Sequence, residues 1–200
     1  MNLGWNVNIE VKSSAIHGSG VFAAERIKAG TKVWQFDASM HVCTRTALAR
    51  LEAATLRQAL FAGYVHEPSG LFLWYSDGMQ FMNHDDEQNA NVGLGYWPAL
   101  TDDHIVALRD IEPGEELRED YRNCLRAGME PDHWLAPIYR AFCPSHYRFL
   151  LGLFGREEPA YPAAAAPLED GAKLRRIATS ASRNTGFGRT AAKPQARQAA

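Results

Sequence analysis

Ala107-Leu108-Arg109-Asp110-Ile111-Glu112-Pro113-Gly114-Glu115-Glu116-Leu117-Arg118-Glu119-Asp120-Tyr121 couples an apolar run to a turn and then to an acidic segment that stops on a tyrosine. The run begins upstream at His104, and His104 to Leu108 (HIVAL) has the length and composition of a buried strand. Glu112-Pro113-Gly114 is a turn signal, because proline presets its own backbone angle and glycine accepts the left-handed one. The turn therefore delivers Glu115 to Tyr121 as a second extended segment. A lone tyrosine in such a place is usually packing or surface, so any chemistry depends on what else the chain brings beside it.

Two other segments carry unusual residue combinations. Ile16-His17-Gly18-Ser19-Gly20-Val21-Phe22-Ala23 holds two glycines two apart, a spacing that lets backbone approach a ligand closely. It lacks the third glycine and following helix of a dinucleotide fingerprint, and by itself such a pair is more often a plain turn. Phe81-Met82-Asn83-His84-Asp85-Asp86-Glu87-Gln88-Asn89-Ala90-Asn91 packs three asparagines, a histidine and three acids into eleven residues. His84 with Asp85, Asp86 and Glu87 has metal-ligand chemistry, but consecutive side chains rarely converge on one ion, so a polar loop without metal is expected. Asparagine both donates and accepts, which suits bracing a loop or holding an adenine edge.

Taken in order, these three segments resemble the SET-domain family. The matching features are the GxG opening followed by Val21-Phe22-Ala23, the turn Ile27-Lys28-Ala29-Gly30, the Asn83-His84 pair, and Gly114-Glu115-Glu116-Leu117-x-x-Asp120-Tyr121. The resemblance spans roughly residues 7–124. It implies a mainly β, SET or β-clip-like fold with a knot-like crossing. It also implies S-adenosyl-L-methionine as cofactor and methyl transfer to a lysine side chain of a protein or peptide. Gly18, Ser19, Gly20 and Val21 would line the cofactor pocket, mainly through backbone groups. Asn83 and His84 would contact the cofactor's amino-acid and adenine portions. Phe81 and Asn89 would support the site, Asn89 by bracing the crossing. Tyr121 would be the catalytic tyrosine, also touching the cofactor. A non-catalytic SET-like module that binds peptide or cofactor is the alternative.

The chain departs from the family pattern at several points. Asp85 stands where the family usually has serine, and Gln88 where it usually has proline before the second asparagine. Glu119 stands where many members carry an aromatic that tunes how many methyls are added. The cysteine-rich zinc segment that closes the channel in some members is missing, and the aromatic stretch from Trp134 to Phe149 is the expected replacement.

Around these motifs the organisation is legible from periodicity. Val7, Ile9 and Val11 alternate with polar residues, as in a half-buried strand. Val21 to Ala23, Lys32 to Phe36 and Leu71 to Tyr75 are further short strands. Thr44 to Tyr64 is rich in Ala, Leu, Arg and Gln, with leucines three and four apart, and predicts a helical insert at about 44–66 capped by Thr44 or Thr46. A C-terminal closing segment at about 125–155 is expected to be helical in part, with most of its rings in the core. The domain is thus expected over 1–155.

From 156 onward periodic apolar residues disappear, and residues 156–200 are expected to form a basic, mostly disordered tail. Gly171 to Ala200 has seven basic residues and no acid, a charge of +7 within a chain of −2, so residues 1–170 carry −9. An acidic body would attract a basic peptide. The tail could equally serve nucleic acid or an acidic partner, with ordinary disorder the plainer expectation. Cys43, Cys124 and Cys143 are odd in number and widely spaced, which disfavours a disulfide framework or four-cysteine zinc site. No run approaches eighteen apolar residues and no basic-then-apolar leader opens the chain, so a soluble, cytoplasmic protein without a membrane span is expected.

Overall fold

In the computed structural model, which describes residues 4–95, 103–130 and 132–158, the segment after the Pro-Gly turn becomes a strand shared between two partners. Ten strands are described: β1 (Ile9–Ser13), β2 (Ser19–Ala23), β3 (Lys32–Gln35), β4 (His41–Cys43), β5 (Gly63–His66), β6 (Leu71–Trp74), β7 (Asn83–His84), β8 (Val92–Leu94), β9 (His104–Ala107) and β10 (Glu116–Glu119). They form three sheets, ordered β1-β2-β10-β7, β3-β9-β8 and β4-β6-β5. Five helices accompany them: α1 (Arg45–Leu48), α2 (Ala53–Ala62), α3 (Arg122–Leu125), α4 (Ala136–Phe142) and α5 (Pro144–Leu153). The molecule is mainly β with a few helices, as the sequence predicts.

The first half of β10 pairs antiparallel with β2, Glu116 opposite Phe22 and Leu117 opposite Val21. Its second half pairs parallel with β7, Arg118 beside Asn83 and Glu119 beside His84. A parallel neighbour requires a crossover in the chain. Here the 83–91 segment wraps the strand. Asp85 N–H donates to Glu119 O at 3.1 Å at one end of that segment, and Asn91 N–H donates to Arg118 O at 3.0 Å at the other. The turn that sets up β10 works as its residues predict. Gly114 has φ +82°, a conformation that L side chains rarely adopt, and its N–H donates to Ala23 O at 2.7 Å.

The core lies where the inward faces of the sheets meet the helices. Val21, Leu117, Val33, Trp34 and Val92 are fully buried, as are Leu48, Leu56 and Leu60 from the helices of the insert. Thr44 is the N-cap of α1, its hydroxyl accepting from Ala47 N–H at 3.2 Å. Tyr139 and Tyr147 stack at 5.5 Å inside the core, so the C-terminal rings are largely packing.

Two expectations are corrected. The insert is not helical to residue 66: Gly63–His66 is strand β5, fully buried and paired with β6. Its aromatic and β-branched residues fold back over the Glu67-Pro68-Ser69-Gly70 turn, and burial against Leu71–Trp74 outweighs continuation of α2. Val11 does not face the core but is 43% exposed, because β1 is an edge strand covered on one side only by β2. Packing also continues past residue 155. Arg156 donates to Met129 O at 2.7 Å and Glu158 pairs with Arg140 at 3.4 Å. The rest of the expected tail, 159–200, lies outside the described residues.

Candidate active site

β10 gathers the three sequence segments into one place. β2 brings the Gly18-Ser19-Gly20 turn to one of its edges, β7 brings Asn83 and His84 to the other, and the strand runs directly into Asp120 and Tyr121. Asn83 is buried and ties the segments together. Its amide donates to Ser19 O at 3.1 Å, to His17 O at 3.3 Å and to Glu116 Oε1 at 2.8 Å. Glu116 Oε2 in turn accepts from Ser14 Oγ at 2.9 Å. Gly20 is what admits that carboxylate: a Cβ there would sit 2.2 Å from Glu116 Oε1. Gly18, at φ +49°, makes the turn itself, with nothing within 4 Å of where its Cβ would be. Gly18 and Ser19 are exposed, so their backbone is open to a ligand. Val21 is not: it is fully buried and its backbone is paired in the sheet with both Val11 and Leu117, so its side chain lines no surface pocket.

His84 sets the position of Tyr121. Its Nδ1 accepts from Tyr121 N–H at 3.2 Å, and the two rings lie 5.2 Å apart at 39°. The Tyr121 hydroxyl donates to Met82 O at 2.5 Å. Its proton is thereby committed, and the oxygen's lone pairs remain as acceptors. Burial, with the nearby Glu119 and Cys124, pushes the phenol well above its ordinary range. Tyr121 therefore stays protonated at neutral pH and can orient a group but not act as a base.

Beside Tyr121 lies a small pocket of about 50 Å³, whose lining includes Tyr64, Tyr75, Met82, Glu119, Tyr121 and Cys124, together with Phe61, His146 and Leu150. α5 contributes His146 and Leu150 to the lining, and the tyrosines of the C-terminal segment are not among the lining residues. Tyr64 donates its hydroxyl to Asp103 Oδ2, fixing its ring. Glu119 faces the pocket with a single hydrogen-bond contact among the described residues, the Cys124 thiol at 3.9 Å. Burial, then the charges of Asp103 and Asp120, push its carboxyl up to about 7.

That shift has a stability consequence. The folded state holds the Glu119 proton more tightly than the unfolded chain does. The associated stabilisation is present below the ordinary carboxylate value near 4.5 and is lost as pH rises through about 7. Glu119→Gln is thus expected to raise thermal stability at pH 9 by about 2 kcal/mol and to change it little at pH 5. Paired melting curves at the two pH values check this; an equal shift at both would mean the carboxylate is not held in a dry site.

The two supporting residues named from the sequence are placed differently from expectation. Asn89 is exposed and its amide reaches only Asp85 Oδ1, at 3.3 Å. The bracing is done by Asn91, which is completely buried. Its amide donates to Glu116 O at 2.8 Å and Glu115 Oε1 at 3.1 Å, and its Oδ1 accepts from Arg118 N–H at 2.8 Å. The loop from Asp85 to Ala90 turns outward, which carries Asn89 away and returns Asn91 under β10. Phe81 is 39% exposed in a 3-10 turn (Met79–Phe81), and Met82 beside it is the buried residue of the pair. Asp85, the departure from serine, is occupied by Arg118 at 2.5 Å. Burial opposes its ionisation, but hydrogen bonds from Asp86 N–H and Asn89, with Arg118's charge, hold its carboxyl below the usual range. Glu116, Ser14 and Asn91 were invisible as site residues in the sequence; only the asparagine spacing hinted at the last.

The SET-domain family model matches residues 18–122, just over half of the chain. This chain therefore belongs to the SET-domain family. Among solved structures, the Neurospora SET domain protein DIM-5, a histone lysine methyltransferase, aligns at 21% identity and a TM-score of 0.44, covering 59% of this chain and 53% of that one. Chaetomium thermophilum Polycomb Repressive Complex 2 bound to GSK126 aligns at 22% identity and a TM-score of 0.46, covering 59% of this chain and 16% of that one. This chain thus spans about half the length of the first and a small part of the second. No curated protein matches it.

Proposed function

We propose that this protein is an S-adenosyl-L-methionine-dependent methyltransferase acting on a lysine side chain of a protein or peptide. The observation that carries the reading is the convergence of Gly18-Ser19-Gly20, Asn83-His84 and Tyr121 around one strand, with a small tyrosine-lined pocket beside the last. The donor set suits the cofactor: an exposed glycine turn with open space at Gly18, a buried amide holding the turn's carbonyls, and a histidine beside it. When bound, S-adenosyl-L-methionine supplies an electrophilic methyl group.

The chain's own residues do the rest. The Gly18–Gly20 backbone, with Asn83 and His84, would hold the cofactor; Asn83 also fixes the turn it must sit against. The pocket would take the lysine. Only about 0.1% of a free lysine amine is neutral at pH 7.4, a cost of roughly 4 kcal/mol that the site must offset. The Tyr121 oxygen would accept from the amine and hold it in line, and such positioning is worth several kcal/mol.

The test is calorimetric titration with S-adenosyl-L-methionine, followed by transfer of labelled methyl onto whole lysate and identification of the labelled residue. Micromolar binding is expected, and Asn83→Ala should weaken it tenfold or more, since a buried polar contact is worth on the order of 1.5–3 kcal/mol. Binding with no transfer would turn the reading to a non-catalytic SET-like module. No binding of S-adenosyl-L-methionine at all would sink the enzyme reading.

A further inference from the structure

We propose that Glu119 is the receptor for the substrate's ammonium group, selecting a primary alkylammonium and accepting its proton before methyl transfer; the inference rests on the methyltransferase reading and deepens it. The geometry is specific. Glu119 ends β10, two residues before Tyr121, and lines the same pocket. Three tyrosines, Tyr64, Tyr75 and Tyr121, surround the space it faces. None of the pocket's lining residues is a lysine or arginine. Glu119 is half-buried, and a carboxylate drawn partly out of water is costly unless it is paired. Here no resident cation neutralises it among the described residues, whereas Asp85 has Arg118, Asp120 has Arg122 and Glu115 has Arg109; Asp103 is instead bonded by the Tyr64 hydroxyl, and Glu116 by Asn83 and Ser14. The missing partner must come from outside. Its shape is set by the pocket: a slender cation whose charge reaches a carboxylate and whose N–H groups or methylenes lie against tyrosine faces, where a cation is also attracted by the rings. An alkylammonium, a compact point charge on a slender stem, matches this description better than a guanidinium, which is planar and wider.

The other titratable groups facing Glu119 do not replace it. From β9's leading end comes Asp103, bonded to Tyr64; from the same strand's end, Asp120, bonded to Arg122; from α3, Cys124, whose thiol burial pushes well up. Tyr75 and Tyr121 are likewise pushed up by burial and by the charge of this same carboxylate, among others. From α5 comes His146, which burial pushes down to about 4, so it is neutral and offers no cation. His84, from β7, is engaged by the Tyr121 backbone. Glu119 is therefore the group in the pocket that can take up a proton near neutrality.

The step balances simply. An ammonium N–H bond breaks and an O–H bond forms on Glu119, the electron pair staying on nitrogen. That pair makes the new bond to the methyl carbon while the C–S pair leaves with sulfur, and the product is a methylated ammonium. Glu119 returns its proton to solvent when the product leaves. Because the carboxylate must be ionised to receive the ammonium, amine binding should rise with pH through about 7 and fall again as lysine itself deprotonates near 10.4.

The experiment uses the full chain and its E119Q variant, with E119D to test rescue. Binding of n-butylammonium is followed by NMR titration at pH 5.5 and 8.5. Methyl transfer to peptides bearing one central lysine is followed from pH 6 to 10. Butylammonium should bind the wild type at pH 8.5, at least tenfold more weakly at pH 5.5, and at least tenfold more weakly to E119Q at pH 8.5. E119D should recover part of the binding. Transfer by E119Q should fall at least tenfold at pH 7 with cofactor affinity unchanged, and the gap should narrow toward pH 10, where the amine arrives already neutral. Wild type and E119Q indistinguishable in amine binding and in pH profile would overturn the inference while leaving the methyltransferase reading intact. Glu119-dependent amine binding with no transfer by the wild type would instead overturn that reading, and with it the proton-accepting role, while supporting Glu119 as the amine receptor.

Discussion

Tyr121→Phe should lower methyl transfer by on the order of 10²-fold, about 2.7 kcal/mol of barrier, while the cofactor dissociation constant changes much less. The substitution removes one oxygen and keeps the ring. That ring lies tilted against His84, and the Tyr121 backbone N–H bonds the imidazole, so both positioning contacts survive. What is lost is the hydroxyl, whose proton is committed to Met82 O. With the proton fixed there, the oxygen presents lone pairs toward the pocket, and an amine N–H or a methyl carrying partial positive charge is what they would receive. The interaction is chiefly made in the transition state, so it appears in turnover rather than in cofactor affinity.

A purely structural hydroxyl makes a different signature. Loss of the bond to Met82 O would then cost about 1 kcal/mol of stability with turnover unchanged. The check is a paired measurement, rate and cofactor dissociation constant, on one substrate. Equal turnover in the two proteins would remove Tyr121 from the mechanism, and with it the proposed site.

Asn91→Ala should destabilise the domain by about 3 kcal/mol, whereas Asn89→Ala should stay within about 0.5 kcal/mol. The contrast follows from burial. Asn91 is fully enclosed and serves both halves of β10: its amide bonds Glu116 O and its carbonyl takes Arg118 N–H. Alanine leaves a backbone acceptor and a backbone donor without partners where water has no room, and each costs on the order of 1–3 kcal/mol. Asn89, exposed, loses one bond of 3.3 Å that water can replace. For a domain of this size the Asn91 effect corresponds to roughly 6–12 °C in Tm. Activity should fall as well, because Tyr121 follows β10 by two residues. Melting curves of the two variants decide the matter: similar losses would mean that the crossing is braced along the whole loop and not at Asn91.

The departures from the family pattern are also interpretable through their partners. Asp85 in place of serine is neutralised by Arg118, a residue on the strand it crosses, so the substitution is absorbed within the crossing. Glu119 in place of an aromatic has no such partner, and its charge is left facing the pocket. The first change is compensated locally and the second alters what the pocket can bind. Physical context, not the substitution itself, separates them.

The sequence by itself determined the elements whose signals are local. The Pro113-Gly114 turn, the strands on either side of it, the Thr44 cap and the mainly β class all follow from spacing and from the backbone limits of glycine and proline, which act over a few residues. It also picked out the three segments that meet at the candidate site, since the GxG turn, the Asn-His pair and the terminal Asp-Tyr are each legible where they stand. Tertiary structure alone decided the rest. Whether Asn89 or Asn91 braces β10 depends on how an irregular loop turns, and in a loop no fixed period relates neighbouring side chains. That Gly63–His66 is a strand rather than the end of α2 depends on its pairing with Leu71–Trp74, a contact that helix propensity does not contain. Glu116 joins the site because Asn83 and Ser14 reach it from segments 33 and 102 residues away. Glu119 is an ordinary acid in a run of acids until burial behind Tyr64, Tyr75 and Tyr121 makes its charge costly. Burial and long-range pairing are properties of the folded chain, and they turn a family motif into this particular pocket.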